Sequence, residues 1–130
     1  MPSSTLRHGS SSWGMRLAAL WFGLFAGPLA WAALLETNYV MSYVACEQRQ
    51  TWMLHLSAGV ALALVAAGAI SAWRAAPPSR SDDAASTHPV ETAEIRARFM
   101  ATGGLVLSAW FALVILATEI PALVLHPCTP

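Results

Sequence analysis

The chain has 130 residues, of which 56% are hydrophobic and 11% charged, and its formal net charge is zero. A soluble domain carries roughly a quarter charged residues, so this composition belongs with membrane proteins and leaves room for one compact unit. Lysine is absent and acids balance bases, which gives no sign of nucleic acid or an anionic surface as a partner. Abundant Ala and Arg without Lys fit a GC-rich bacterial genome.

Residues 1–12 are Ser-rich and polar and are expected to form a disordered tail. The membrane domain then occupies 13–130, with spans at about 15–43, 52–74 and 97–125. The first span contains 19 uncharged residues from Leu17 to Leu35, preceded by Arg16. It reads as a retained helix; the alternative is a signal peptide with a small-x-small site at Ala30-Trp31-Ala32. Gly23 and Gly27 form a GxxxG pair suited to close helix contact, and Pro28 is expected to kink the helix just beyond it. Tyr39 and Tyr43 stand four apart near the exit, as interfacial aromatics do.

The second span, Thr51 to Trp73, holds 23 residues without formal charge. At ~1.5 Å rise per residue it crosses a ~30 Å hydrocarbon core, where only a helix satisfies its own backbone. His55, Gly59, Ala63, Ala67 and Ser71 recur every fourth residue and are expected to form the packing ridge. Residues 75–96 form the loop, and Thr87 followed by Pro89 and Glu91 marks a helix start within it. The third span brings 20 uncharged residues from Phe99 to Thr118, with another small ridge at Gly104, Ser108 and Ala112. Glu119 and Pro121 are expected to interrupt this helix before its apolar end.

Arg7 and Arg16 precede the first span, and Arg74, Arg80, Arg96 and Arg98 lie between the second and third; Arg49 alone lies on the other side. This bias predicts an all-α integral membrane protein with three transmembrane helices, N-terminus cytoplasmic and C-terminus periplasmic.

Cys46 and Cys128, the two cysteines, then share the external face, each just past a span. A structural disulfide is the leading reading in an oxidising periplasm. The rival is a copper site of Cys46, His126 and Cys128 with Met41 as a further ligand, since thiolate and imidazole suit copper. Glu36, His55 and Glu119 lie 20, 19 and 21 residues from the nearest cytoplasmic arginine of their spans, which puts them at one depth near the outer boundary. Ionisable groups there are paired, interfacial or functional, so structural pairing, a proton or quinone role and metal ligation all stand open. No nucleotide-binding Gly-rich loop, nucleophile elbow or zinc motif occurs, so an enzyme is not expected and no cofactor is predicted.

Several features resemble a group of small, uncharacterised three-span bacterial membrane proteins associated with terminal (haem–copper) oxidase gene clusters. They are Gly27-Pro28-Leu29-Ala30-Trp31, Cys46, His55, Arg98-Phe99 and Pro127-Cys128, in that order. The resemblance implies a non-catalytic accessory subunit or assembly partner of a respiratory complex in the bacterial inner membrane, with lipid and oxidase subunits as partners. The competing expectations are a periplasm-facing copper-delivery protein and a small transporter or proton relay through Glu36, His55 and Glu119.

Overall fold

The computed structural model describes residues 5–48, 52–77 and 89–124, with side chains at 12–47, 52–77 and 92–124. Three helices make up these residues: α1 (Thr5–Gln48), α2 (Trp52–Ala75) and α3 (Pro89–Val124). At about 1.5 Å per residue they measure about 66, 36 and 54 Å, and each is long and apolar enough to cross a membrane.

The boundaries depart from expectation at the start of α1 and near the end of α3. Helix α1 begins at Thr5, inside the stretch expected to be a disordered tail; residues 1–4 lie outside the described residues. An apolar helix already nucleated extends cheaply into a polar stretch, because propagation adds one hydrogen bond per residue fixed. Helix α3 begins at Pro89, at the helix start that Pro89 and Glu91 mark in the sequence and ahead of the span itself; proline suits a first helical turn because its missing N–H would be unpaired there anyway. Glu119 and Pro121 do not interrupt α3, which continues to Val124. Pro121 removes a single backbone bond one turn from the helix end, and α1 likewise runs on through Pro28.

Contacts fix the directions. Arg16 and Ala19 of α1 meet Ala75 and Ser71 of α2, while Asn38 meets Ser57, so these two helices are antiparallel. Leu20 packs with Ala101 of α3, and Trp31 packs with Phe111, so α1 and α3 run parallel. The outcome is a closed three-helix bundle in four layers. Leu20, Ala75 and Ala101 fill the arginine end, and glycines occupy the next layer. Ala30, Leu34, Ala58, Ala61, Val65 and Ile115 fill the third layer, and a polar layer closes the far end.

The glycine layer sets the interhelical distances. A Cβ on Gly23 would lie 2.7 Å from Ala72 Cβ and 3.1 Å from Gly68 O. One on Gly68 would lie 2.6 Å from Ala26 Cβ, and one on Gly104 would lie 3.2 Å from the Gly23 carbonyl. No added methyl fits between backbones at such separations. Gly27 is looser, because its neighbour is the movable Phe111 ring at 3.2 Å. The core is built mostly of alanine and glycine, with Ile115 the largest side chain that is fully buried. Large apolar side chains point outward: Phe22, Leu29, Leu56, Phe99 and Leu113 are exposed, as are Trp21 and Trp110. Trp31 packs inward, against Phe111.

The buried set of α2 comprises Ala58, Ala61, Val65, Gly68, Ala72 and Ala75, and this corrects the expected ridge. Gly59, Ala63 and Ala67 are exposed, and a Cβ on Gly59 would meet nothing within 4 Å. A row of every fourth residue drifts about 40° per step around a helix of 3.6 residues per turn. The row therefore starts at His55 facing α3, crosses the open side, and returns at Ser71 facing α1. The expected contacts of Gly23, Gly27, Gly104, Ser108 and Ala112 do lie between helices.

The two kinds of glycine should separate in reversible unfolding from detergent micelles. Gly23→Ala is expected to lose about 1–3 kcal/mol by overpacking. Gly59→Ala should be neutral or gain up to about 1 kcal/mol, because alanine is the better helix former where space is open.

Candidate functional site: the polar layer at the end remote from the arginines

The far end of the bundle carries two polar contacts between helices. His55 stands in the first turn of α2, and Glu119 lies near the end of α3. Their side chains meet at 2.8 Å, His55 Nδ1 to Glu119 Oε2. Glu119 is mostly buried, with 15% of its side chain exposed, whereas His55 keeps 41% of its side chain open. The imidazole thus forms the open side of the pair and covers the carboxylate. Either the imidazole Nδ1–H donates to the carboxylate, or a protonated Glu119 donates to a bare Nδ1, so the pair can hold a proton in two arrangements.

Glu36, the third member of the expected cluster, does not join. Asn38, Leu34 and Ala30 of α1 turn toward the bundle, and Glu36 stands two residues from Leu34. Two residues turn a helix by about 200°, which carries Glu36 to the opposite face, where it is exposed. All three residues do share one end of the bundle, but common depth does not give a common face.

Asn38 takes the place on α1 that Glu36 does not. Ser57 Oγ lies 2.7 Å from Asn38 Oδ1 and 2.7 Å from Leu54 O. A serine hydroxyl has one proton, so it cannot donate to both acceptors. Turning the Asn38 amide so that its NH2 donates to Ser57, while Ser57 donates to Leu54 O, satisfies every group. The signal for this pair was a serine one turn inside α2, opposite an amide in the half of α1 remote from Arg16; small polar residues are too common in apolar helices for it to stand out.

Cys46, near the end of α1, is disulfide-bonded. That takes its thiolate out of any copper set while the bond is intact. Cys128 and His126, the other members of the expected clamp and copper site, lie outside the described residues. Among the described residues no group of three His, Cys, Asp or Glu side chains is placed to hold a metal ion. Tyr39 and Tyr43 pack edge to face with ring centroids 5.8 Å apart, on the outer surface of α1.

Two buried polar atoms have no partner among the described residues: Trp31 Nε1 and Ser108 Oγ. Ser108 is buried, and its hydroxyl meets no partner among the described residues. Ser108→Ala is therefore expected to be neutral or stabilising in the same unfolding assay, because it removes an unmet polar group without changing shape. For the polar layer, a double-mutant cycle on His55→Ala and Glu119→Leu should give a coupling of about 0.5–1.5 kcal/mol, the range for polar pairs between membrane helices. A coupling of zero would mean that the pair does not hold α2 to α3.

No family model, curated protein or solved structure matches this chain, which leaves the His55–Glu119 pair and the outward small-residue face of α2 as the features that bear on function.

Proposed function

We propose that the protein is a non-catalytic accessory subunit or assembly partner of a larger bacterial membrane complex, embedded as three spans with its N-terminus in the cytoplasm. The observation that carries this reading is the open face of α2. Ala63 stands nine residues from Ala72, about two and a half turns, and so lies diametrically opposite the core. Gly59, Ala63 and Ala67 form a shallow depression there, between the exposed side chains of Leu56 and Ile70. An interior glycine weakens a helix by about 1 kcal/mol relative to alanine, and the bundle itself gives Gly59 no steric reason to be there. Docking of another membrane helix supplies that reason, since small faces let backbones approach in lipid.

The packing of α1 supports a retained first span. Cleavage after Ala32 would remove Leu20, Gly23, Ala26 and Ala30, which line the contacts with α2 and α3. The arginine bias supports the orientation, in a bacterial inner membrane, with the disulfide of Cys46 outside and Cys128 as its partner. The resemblance to proteins of oxidase gene clusters names the first complex to test, a haem–copper oxidase.

Mild-detergent affinity purification from native membranes, followed by mass spectrometry of the native-gel band, tests this reading. Oxidase subunits in fixed proportion to the wild-type chain, and their loss with Ala63→Leu at unchanged stability, are expected. A wild-type chain that migrates alone, or a complex indifferent to Ala63→Leu, would contradict it.

A second reading, a proton relay, is favoured by the His55–Glu119 hydrogen bond at 2.8 Å. Glu119→Gln distinguishes the two, because the amide keeps a hydrogen bond to His55 but cannot exchange a proton. Under the accessory reading, complex activity and assembly both survive this change. Under the relay reading, assembly survives and activity falls.

A further inference from the structure

Acids and bases balance over the chain as a whole, but at the arginine end they do not. A groove of about 520 Å3 opens there between α1 and α3. Leu17, Leu20 and Met100 give it an apolar lining, and Arg16, Arg96 and Trp13 line it as well. No carboxylate is among the described residues that line it. Arg16 donates to Ala75 O at 3.3 Å, at the C-terminal end of α2, and its guanidinium stands 5.7 Å from the centre of the Trp13 ring. Those contacts hold the side chain in place while leaving most of its five N–H donors unused. Arg96 is exposed and has no hydrogen-bond or ionic partner among the described residues. Two cations above an apolar furrow match a molecule with an anionic head and a long apolar tail. Guanidinium groups also suit the bidentate geometry of phosphate oxygens.

We propose, on the reading of the chain as membrane-spanning, that this groove binds an anionic phospholipid, its phosphate held by Arg16 and Arg96 and an acyl chain lying along Leu17, Leu20 and Met100. Basic clefts between helices on the cytoplasmic side recognise anionic lipid heads in this manner, at about 1 kcal/mol per arginine near the surface. Arg74 borders a second, more open groove between α1 and α2, which shares Arg16 but not Arg96, and serves as an internal control.

The test uses the full chain, purified in mild detergent and reconstituted into phosphatidylcholine vesicles that contain a minor fraction of phosphatidylglycerol. Flotation first establishes that the protein enters the bilayer; a chain that does not float overturns the membrane-spanning reading together with the lipid site. For the floated protein, native mass spectrometry counts lipids retained after partial delipidation. Phosphatidylglycerol should be enriched over phosphatidylcholine by about tenfold or more, and Arg96→Gln should cut that enrichment about fivefold. Arg74→Gln should leave it unchanged. Arg16→Gln should lower it too, but Arg16 also binds the end of α2, so the exposed Arg96 carries the decision. Equal retention of the two lipids, or enrichment unaffected by Arg96→Gln, would overturn the site. Displacement of phosphatidylglycerol by inorganic phosphate alone would mark a simple anion site and overturn the role given to the groove.

Discussion

Everything in this bundle depends on how closely three backbones approach at Gly23, Gly68, Ala72 and Gly104. The missing side chains of Gly23 and Gly68 are occupied by Ala72 and Ala26, so each helix locks the register of the next. With that layer fixed, helical geometry dictates what sits above and below it. About two turns below, Arg16 reaches the end of α2, and the groove beside Arg96 opens between α1 and α3. Several turns above, His55 meets Glu119 and Ser57 meets Asn38. His55 and Arg74 are 19 residues apart on one helix, about 28 Å, close to the thickness of a hydrocarbon core. The two polar ends of the bundle thus stand about one membrane apart.

The distribution of side-chain size follows the same logic. In water, large apolar side chains are driven to the centre because burial removes them from solvent. Here alanine and glycine make up most of the centre, with Leu20, Leu34, Val65 and Ile115 among them, while most of the tryptophan, phenylalanine and leucine side chains cover the outside. That arrangement is unfavourable in water and natural in lipid, where association is driven by close packing and hydrogen bonds between helices. The polar contacts obey the same constraint. Helix ends near the boundary are tied by side chains that meet backbone or each other, as Arg16 does with Ala75 O and His55 with Glu119.

How much of this was legible in the chain depends on the kind of signal. Three helices long and apolar enough to cross a membrane were plain from charge-free runs, because exclusion of charge from hydrocarbon acts on every residue of a span. The GxxxG pair at Gly23 and Gly27 was legible because both residues face inward, and Gly23 lies at the tightest contact. The ridge on α2 was misread because that helix is small-sided all round. Ala58, Ala61 and Val65 are no less plausible a seam than Gly59, Ala63 and Ala67, and only the positions of α1 and α3 decide between them. The polar cluster was half legible. Depth can be counted from the arginines, which found His55 and Glu119, but face cannot be counted across separate helices, which lost Glu36 and missed Asn38. Helix ends beyond the apolar runs were set by hydrogen-bond propagation rather than hydropathy, and so ran longer than expected in α1 and α3.

On the proposed reading, an inward face that is fully used and an outward face of α2 that is not mark this chain as a component of a larger complex. The most direct test of that arrangement is a nitroxide scan along α2, residues 56 to 67, in the protein reconstituted at low density in lipid bilayers. Collision with oxygen, which partitions into lipid, should rise and fall with the helical period, peaking near Ala63 and falling at Ala58, Ala61 and Val65. Collision with a water-soluble relaxation agent should stay low through the middle of the scan. A peak at Ala61 and Val65, or high access to water at Ala63, would contradict both the seam and the membrane setting.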